Sequence, residues 1–268
     1  MSSPGPSPSP VTRRSLAELM LAPQRLRLQF QPIADLTSGE VAGYEALARF
    51  DVEPHAAPDA WFASAGRGNA GRLDALAVGR ALAARRTLPA GCFLAVNITP
   101  AGLLSTAVQQ TFARAGRLDA IVVELAEPAA AAHAGAVSAA LAPLRAAGAR
   151  VALDDAGTAG VRLQAVVALR PEYVKVDRGV VAGVDRDPGK AEVVATLAAL
   201  AERFGAQAVA EGVERPEELE AVMALGVTLA QGFALAEPSR GMRSIERGVA
   251  EVVADARRAR GEDERVAA

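Results

Sequence analysis

Short apolar runs recur along this chain, and most of them end in a polar or charged residue. The first, around Leu26, Leu28 and Phe30, alternates apolar with polar positions, the period-two pattern of a half-buried strand. Thr37-Ser38-Gly39-Glu40 then forms a turn, and a second run spans Val41 to Phe50. A turn this short predicts an antiparallel hairpin. Further runs follow at Cys92–Val96, Ala120–Leu125, Val151–Leu153, Tyr173–Val176, Gln207–Ala210 and Thr228–Ala230.

Helix signals lie between these runs. Ser15 predicts the N-cap of a short first helix ending at Leu21, with Glu18 as its capping-box acid. Pro54 to Leu88 reads as loop and helix anchored by Trp61 and Phe62. Thr99 before Pro100 reads as a cap and first helical residue, with the helix stopping at Gly116. An Ala-rich helix leads to Gly148. Val193, Leu197, Leu200 and Phe204 predict the apolar face of a helix over 191–204. Pro216 opens a helix that Gly226 closes, and a last helix is predicted from Arg243 to Arg258.

Eight strands, with helices between all but the first two, predict an α/β fold with a parallel sheet and right-handed crossovers. At 268 residues the expected architecture is a TIM-like (β/α)8 barrel variant with one antiparallel strand. An open doubly wound sheet is the alternative. Residues 1–14 read as a disordered Pro/Ser-rich tail, 15–250 as the barrel domain, and 251–268 as a charged helical or disordered tail.

Composition narrows the chemistry. Only 4% of residues are aromatic, so the core rests on Val, Leu and Ala. A net charge of −2 predicts no binding to nucleic acid polymers, although a small phosphate ligand needs only local charge. One cysteine, Cys92, excludes an intrachain disulfide and makes a thiolate cluster implausible, and two histidines, His55 and His133, argue against a His-based zinc site. A metal here would be held by oxygen, as Mg²⁺ or Mn²⁺ is. The N-terminus lacks the apolar region of a signal peptide and no stretch reads as a membrane span, so the expected location is the cytoplasm.

The polar residues closing the runs supply candidate chemistry. Asn97, Glu124, Asp154, Asp155, Lys175, Glu211 and Gln231 lie at or near strand C-termini, the face on which barrel active sites sit. Glu45 is expected to reach the same mouth from within the antiparallel strand. Any one of these could be an ordinary surface group, but eight at equivalent positions form a pattern. So many carboxylates raise one another's pKa unless cations compensate them. Two divalent ions would do so and would favour in-line displacement at phosphorus. Glu127, Glu214 and Asp177 read instead as loop or capping residues, His55 and His133 as surface residues, Cys92 as a small apolar filler, and the arginines from Arg257 to Arg260 as a solvated helix face.

Gln31-Pro32-Ile33 and Glu45-Ala46-Leu47-Ala48-Arg49 resemble the opening of EAL domains, the cyclic di-GMP phosphodiesterases. The likeness continues in order through Val96-Asn97-Ile98-Thr99-Pro100, Glu124-Leu125-Ala126-Glu127, Asp154-Asp155, Val174-Lys175-Val176-Asp177, Ala210-Glu211-Gly212-Val213-Glu214 and Gln231-Gly232-Phe233. It covers about residues 25–240 and implies a barrel with one antiparallel strand. The implied reaction is Mg²⁺- or Mn²⁺-dependent hydrolysis of cyclic di-GMP to linear pGpG. Carried over by motif, Glu45, Asn97, Glu124, Asp154, Asp155 and Glu211 look like the metal-binding set. Lys175 looks like the residue that positions the attacking water, and Gln231 like a support for metal and water. Arg49 and Gln31 look like substrate contacts, and Glu127 like the anchor of the loop after the paired aspartates. Homodimers are common in the family.

That loop departs from the family's Asp-Asp-Phe-Gly-Thr-Gly-Tyr-Ser. Here Ala156, Ala159 and Gly160 replace Phe, Gly and Tyr, which removes packing and a residue tolerant of positive φ. The complete ligand set favours an active phosphodiesterase. The altered loop keeps open a receptor that binds the dinucleotide without cleaving it, or a protein-interaction module.

Overall fold

The computed structural model describes residues 11–156, 163–246 and Val253. The expected helix start at Arg243 falls in irregular backbone through Glu246; the rest of that predicted helix, apart from helical Val253, lies outside the described residues, as do 157–162 of the altered loop. Val253 packs beside Gly39.

Helix α1 (Arg13–Leu21) leads into the hairpin β1 (Leu26–Asp35) and β2 (Val41–Phe50), followed by α2 (Pro58–Ser64) and α3 (Gly66–Ala84). Then come β3 (Phe93–Asn97), α4 (Pro100–Leu103), α5 (Thr106–Ala115), β4 (Ile121–Ala126), α6 (Glu127–Ala132) and α7 (Ala134–Ala146). Next are β5 (Arg150–Ala156), α8 (Leu163–Leu169), β6 (Tyr173–Val176), α9 (Arg178–Val181) and α10 (Pro188–Arg203). The barrel ends with β7 (Gln207–Ala210), α11 (Pro216–Ala224) and β8 (Leu229–Ala230).

The strands form a closed barrel in chain order, which excludes the open doubly wound sheet. The reversed strand is β1, antiparallel to both β2 and β8. Strand β2 runs parallel to β3, so Glu45 lies on a parallel strand rather than on the antiparallel one expected. Each member of a hairpin is antiparallel to the other, and only closure on β8 reveals which one opposes the barrel.

Local signals placed most helices, and tertiary contacts moved their details. Thr12, not Ser15, caps α1 by accepting from Ser15 N, while Glu18 pairs with Arg25 at 2.6 Å. The helix expected from Pro100 to Ala115 breaks at Leu104, where Ser105 caps a second segment. The Ala-rich helix breaks at His133. On α10 the buried face is Val194, Leu197, Ala198 and Ala201, whereas Val193 and Phe204 are 40% and 42% exposed. Of the expected face Leu197 is buried; the stripe turns toward Val194, Ala198 and Ala201, which pack on the barrel and leave Val193 and Phe204 outside. Trp61 does anchor the N-terminal layer, fully buried and stacked on Phe50 at 4.9 Å between ring centroids.

Alternation along the strands divides the barrel interior into two layers. Ile33, Phe93, Ala95, Val122, Ala152, Tyr173, Val209 and Leu229 form an apolar plug. At its base the Phe93 and Tyr173 rings lie 5.1 Å apart, and the Arg150 guanidinium covers both. Gly43 faces the Phe93 ring across the β2–β3 pairing, and a Cβ there would enter the ring's space. Gly43→Ala is expected to cost about 1–3 kcal/mol of stability by forcing the plug to repack. Urea denaturation measures this; a loss below experimental error would show that Phe93 can move freely.

Candidate active site

The second interior layer is polar and draws one residue from each strand position. Gln31 on β1, Glu45 on β2, Asn97 on β3, Glu124 on β4, Asp154 on β5 and Lys175 on β6 lie within strands, while Glu211 and Gln231 directly follow β7 and β8. Backbone pairing continues past those last two strands, from Glu211 N to Val176 O and from Gln231 N to Ala210 O. Every residue of this layer therefore sits on hydrogen-bonded backbone, which sets its position more firmly than a loop would.

Lys175 is the hub. Its side chain is 1% exposed, and Nζ lies 2.6 Å from Glu211 Oε1, 3.2 Å from Glu124 Oε1, 3.5 Å from Glu45 Oε2 and 3.6 Å from Asp154 Oδ1. A second set of bonds fixes Glu45. Asn97 Nδ2 donates to its Oε1 at 2.5 Å and Gln231 Nε2 to its Oε2 at 2.7 Å. Gln231 Nε2 also reaches Gln31 Oε1 at 2.8 Å, and Gln31 donates to the Ala236 carbonyl. The reversal of β1 puts Gln31 directly opposite Glu45 in the ladder.

Asp154 and Asp155 are neighbours in sequence, and in a regular strand they would point to opposite faces. The β5–β6 pairing slips between Leu153 and Ala156, and Asp155 has φ +61°. Aspartate tolerates this left-handed conformation better than most residues. The slip lets both carboxylates line one cavity of about 510 Å³, together with Glu45, Arg49, Asp59, Asn97 and Asp74. Arg49 lies along its wall, with Nε donating to Gln29 at 2.7 Å. Glu127 is buried at the first position of α6, and the loop it was expected to anchor lies outside the described residues.

A smaller cavity of about 220 Å³ adjoins Glu211, Gln231 and Gln31, with Arg178, Glu214 and Phe233 on its rim. Phe233 is 54% exposed. Asp177 caps α9 through Gly179 N, and Arg178 pairs with Glu214 at 2.8 Å rather than with Asp177. Gly232 packs against the Val213 backbone so closely that a Cβ would overlap it. This contact brings the segment after β7 against the segment after β8.

The charge balance is unfavourable for full ionisation. Burial and the neighbouring carboxylates push Glu124 well above the usual carboxylate range, against the pull of Lys175. Burial likewise raises Glu211 from 4.5 to about 8. Glu45 resists its own burial because Lys175, Gln231 and Asn97 favour the charged form, and its pKa is lowered. The carboxylates together hold the Lys175 ammonium protonated despite its burial.

The EAL domain family profile matches residues 13–238. The chain belongs to the EAL-domain family. The cyclic di-GMP phosphodiesterase TpdA of Vibrio parahaemolyticus is 26% identical to this EAL domain over 219 residues, 80% of the chain and 37% of that protein. A manganese and cyclic di-GMP complex of Klebsiella pneumoniae BlrP1 is 28% identical with a TM-score of 0.74, covering 83% of this chain and 58% of that one. The PaMucR phosphodiesterase in complex with cyclic di-GMP is 26% identical with a TM-score of 0.73, covering 84% of this chain and 97% of that one. The chain spans 27% to 37% of the length of three curated relatives that it matches.

In this EAL domain the structure gathers Gln31, Glu45, Asn97, Glu124, Asp154, Lys175, Glu211 and Gln231 around one centre. Arg49 and Asp155 line the adjoining cavity. Sequence reasoning overlooked Asp74 and noted Phe233 only as the end of the Gln231-Gly232-Phe233 motif, with no role of its own. Asp74 lies in a helix, remote in sequence from the strand ends, and Phe233 follows the Gln231-Gly232 motif as an apolar residue left exposed, a state that only the folded chain reveals.

The raised carboxylates make stability depend on pH. Folded Glu211 keeps its proton up to about pH 8, whereas the unfolded chain releases it near 4.5. The folded state thus binds more protons between those values, and stability falls as pH rises through them. Asp74, raised to about 6, adds a slope of the same sign at lower pH. In chelator, the urea midpoint should fall from pH 6.5 to 8, and the fall should be smaller in Glu211→Gln. An equal fall in both proteins would remove Glu211 as its source.

Proposed function

We propose that this EAL domain hydrolyses one phosphodiester of cyclic di-GMP to linear pGpG with Mg²⁺ or Mn²⁺. The observation that carries the reading is the polar layer, complete around Lys175 and open to a cavity large enough for a dinucleotide's phosphate-sugar ring. Family membership and the dinucleotide-bound neighbours above 25% identity support the same reading.

The donor chemistry suits a hard divalent cation, being oxygen only. Glu124 Oε2 and Gln231 Oε1 are buried without a hydrogen-bond partner, so each has a lone pair to offer. Among the described residues, no three carboxylates converge on one metal-ready point, because those of the layer close instead on the Lys175 ammonium. Glu45, Asn97, Glu124, Asp154, Asp155 and Glu211 would hold two ions once the ammonium gives up part of its ring. Bound there, such ions supply charge neutralisation at phosphorus and a more acidic water.

The chain's own residues do the rest. Lys175 Nζ holds the attacking water by donating to its oxygen, and the hydrolysis moves a proton of that water to the departing 3′ oxygen. The water oxygen bonds to phosphorus as the bond to the 3′ oxygen breaks, leaving a 5′ phosphate and a 3′ hydroxyl. Arg49 offers its guanidinium to a phosphate. Gln231 and Asn97 keep Glu45 ionised and oriented. Phe233 presents an apolar face on which a guanine can stack, beside the Arg178 guanidinium.

Incubation with cyclic di-GMP and either metal should yield pGpG by chromatography, and Glu45→Ala should abolish it. Dinucleotide binding with no turnover in either metal would establish the receptor reading instead. Phe233→Ala should raise KM about tenfold with kcat little changed, as expected for loss of one base-stacking contact. An unchanged KM would remove Phe233 from the substrate site.

A further inference from the structure

Asn97 differs from the rest of the polar layer in that its side chain is exposed, although it donates to the buried Glu45 at 2.5 Å. An exposed carboxamide gains little from packing to hold its rotamer. Its position must come from the backbone that carries it. That backbone is pinned on both sides: Ile98 N donates to the Glu124 carbonyl at 3.0 Å, and Thr99 is held from behind by Asp74.

Asp74 lies on α3, outside the barrel, yet it is 1% exposed. Its Oδ1 accepts from Thr99 N at 3.1 Å and its Oδ2 from the Thr99 hydroxyl at 2.8 Å. The same hydroxyl oxygen accepts from Gly102 N at 2.9 Å, capping α4. The result is one relay from a buried carboxylate through a hydroxyl to a helix N-terminus, with each bond polarising the next. Gly102 faces Asp74 so closely that any Cβ would overlap the carboxylate. A glycine within a helix is less favourable than an alanine. Here it leaves room for Asp74.

We propose that Asp74 is a positioning residue for Asn97, fixing the turn after β3 and thereby where the Asn97 carboxamide meets the cation site. The inference rests on the proposed metal-dependent function. Asp74 is not one of the proposed ion-holding residues; it sits at the cavity wall and acts through Thr99 and the backbone. Its buried charge accepts two bonds from one residue, which a neutral side chain of the same size cannot do equally well, because an asparagine has only one acceptor oxygen.

The test titrates the full chain with Mn²⁺ by calorimetry and follows thermal unfolding of the chelator-treated protein. Asp74→Asn should weaken Mn²⁺ binding about tenfold, the lower end of what loss of an outer partner costs a metal site. In an Asn97→Ala background the same substitution should weaken it less than about twofold, since the residue through which it acts is gone. Thr99→Val, which leaves Asp74 in place, should show the same non-additivity with a smaller loss, and Thr99→Ser should retain wild-type affinity. Equal losses with and without Asn97 would overturn the proposal, as would lowered thermal stability with unchanged Mn²⁺ affinity. A wild-type protein that binds no Mn²⁺ would overturn the proposed function itself and this inference with it.

Discussion

The Lys175 ammonium, 1% exposed and surrounded by four carboxylates, is the constraint on which the barrel mouth depends. A buried ammonium needs counter-charges, since desolvating it alone costs several kcal/mol. The reverse also holds, because four carboxylates cannot all ionise around a single positive charge. Glu124 and Glu211 therefore retain protons where Glu45 does not, and the difference follows from amide partners that Glu45 alone possesses. An arrangement with surplus negative charge is poor for stability but suited to divalent cations. The same property makes the site electrostatically frustrated without cations and chemically useful with them.

Two structural devices keep that charge in place. Beneath it, the apolar plug of the barrel, closed by Phe93, Tyr173 and Arg150, separates the polar layer from the opposite face. Around it, each side chain stands on a different strand position, so no single loop sets the geometry. Reversal of β1 is part of the arrangement. It lets Gln31 face Glu45 and places the return segment near Ser239 along β1, where Ala236 O receives Gln31. The pairing slip in β5 is another. A regular strand would send Asp155 away from Asp154, and the left-handed Asp155 turns it back toward the shared cavity.

Much of the site was readable because its residues interrupt apolar runs. A charged group at the end of a buried strand is conspicuous in a line of Val, Leu and Ala, and the ordered EAL-type motifs joined those interruptions into one pattern. Asp74 offered no such signal. It sits in a helix among polar and apolar residues, and its partner Thr99 lies 25 positions on in the chain. The exposed side of α10 misled for a related reason. Val193, Leu197, Leu200 and Phe204 share a helical stripe by spacing, but only Leu197 of them is fully buried, and the barrel-facing surface runs through Val194, Leu197, Ala198 and Ala201.

Local chemistry along the chain determined the number and order of the strands, the punctuation of most helices and the identity of the polar residues at the strand ends. These depend on near-neighbour sterics, on caps and on period, all of which are written in consecutive residues. Tertiary structure decided which hairpin strand is reversed, how two adjacent aspartates share a cavity, which face of α10 is buried and which distant carboxylate holds the turn behind Asn97. Each of those depends on closure of the barrel, which sets contacts between residues far apart in sequence and has no counterpart in any single stretch.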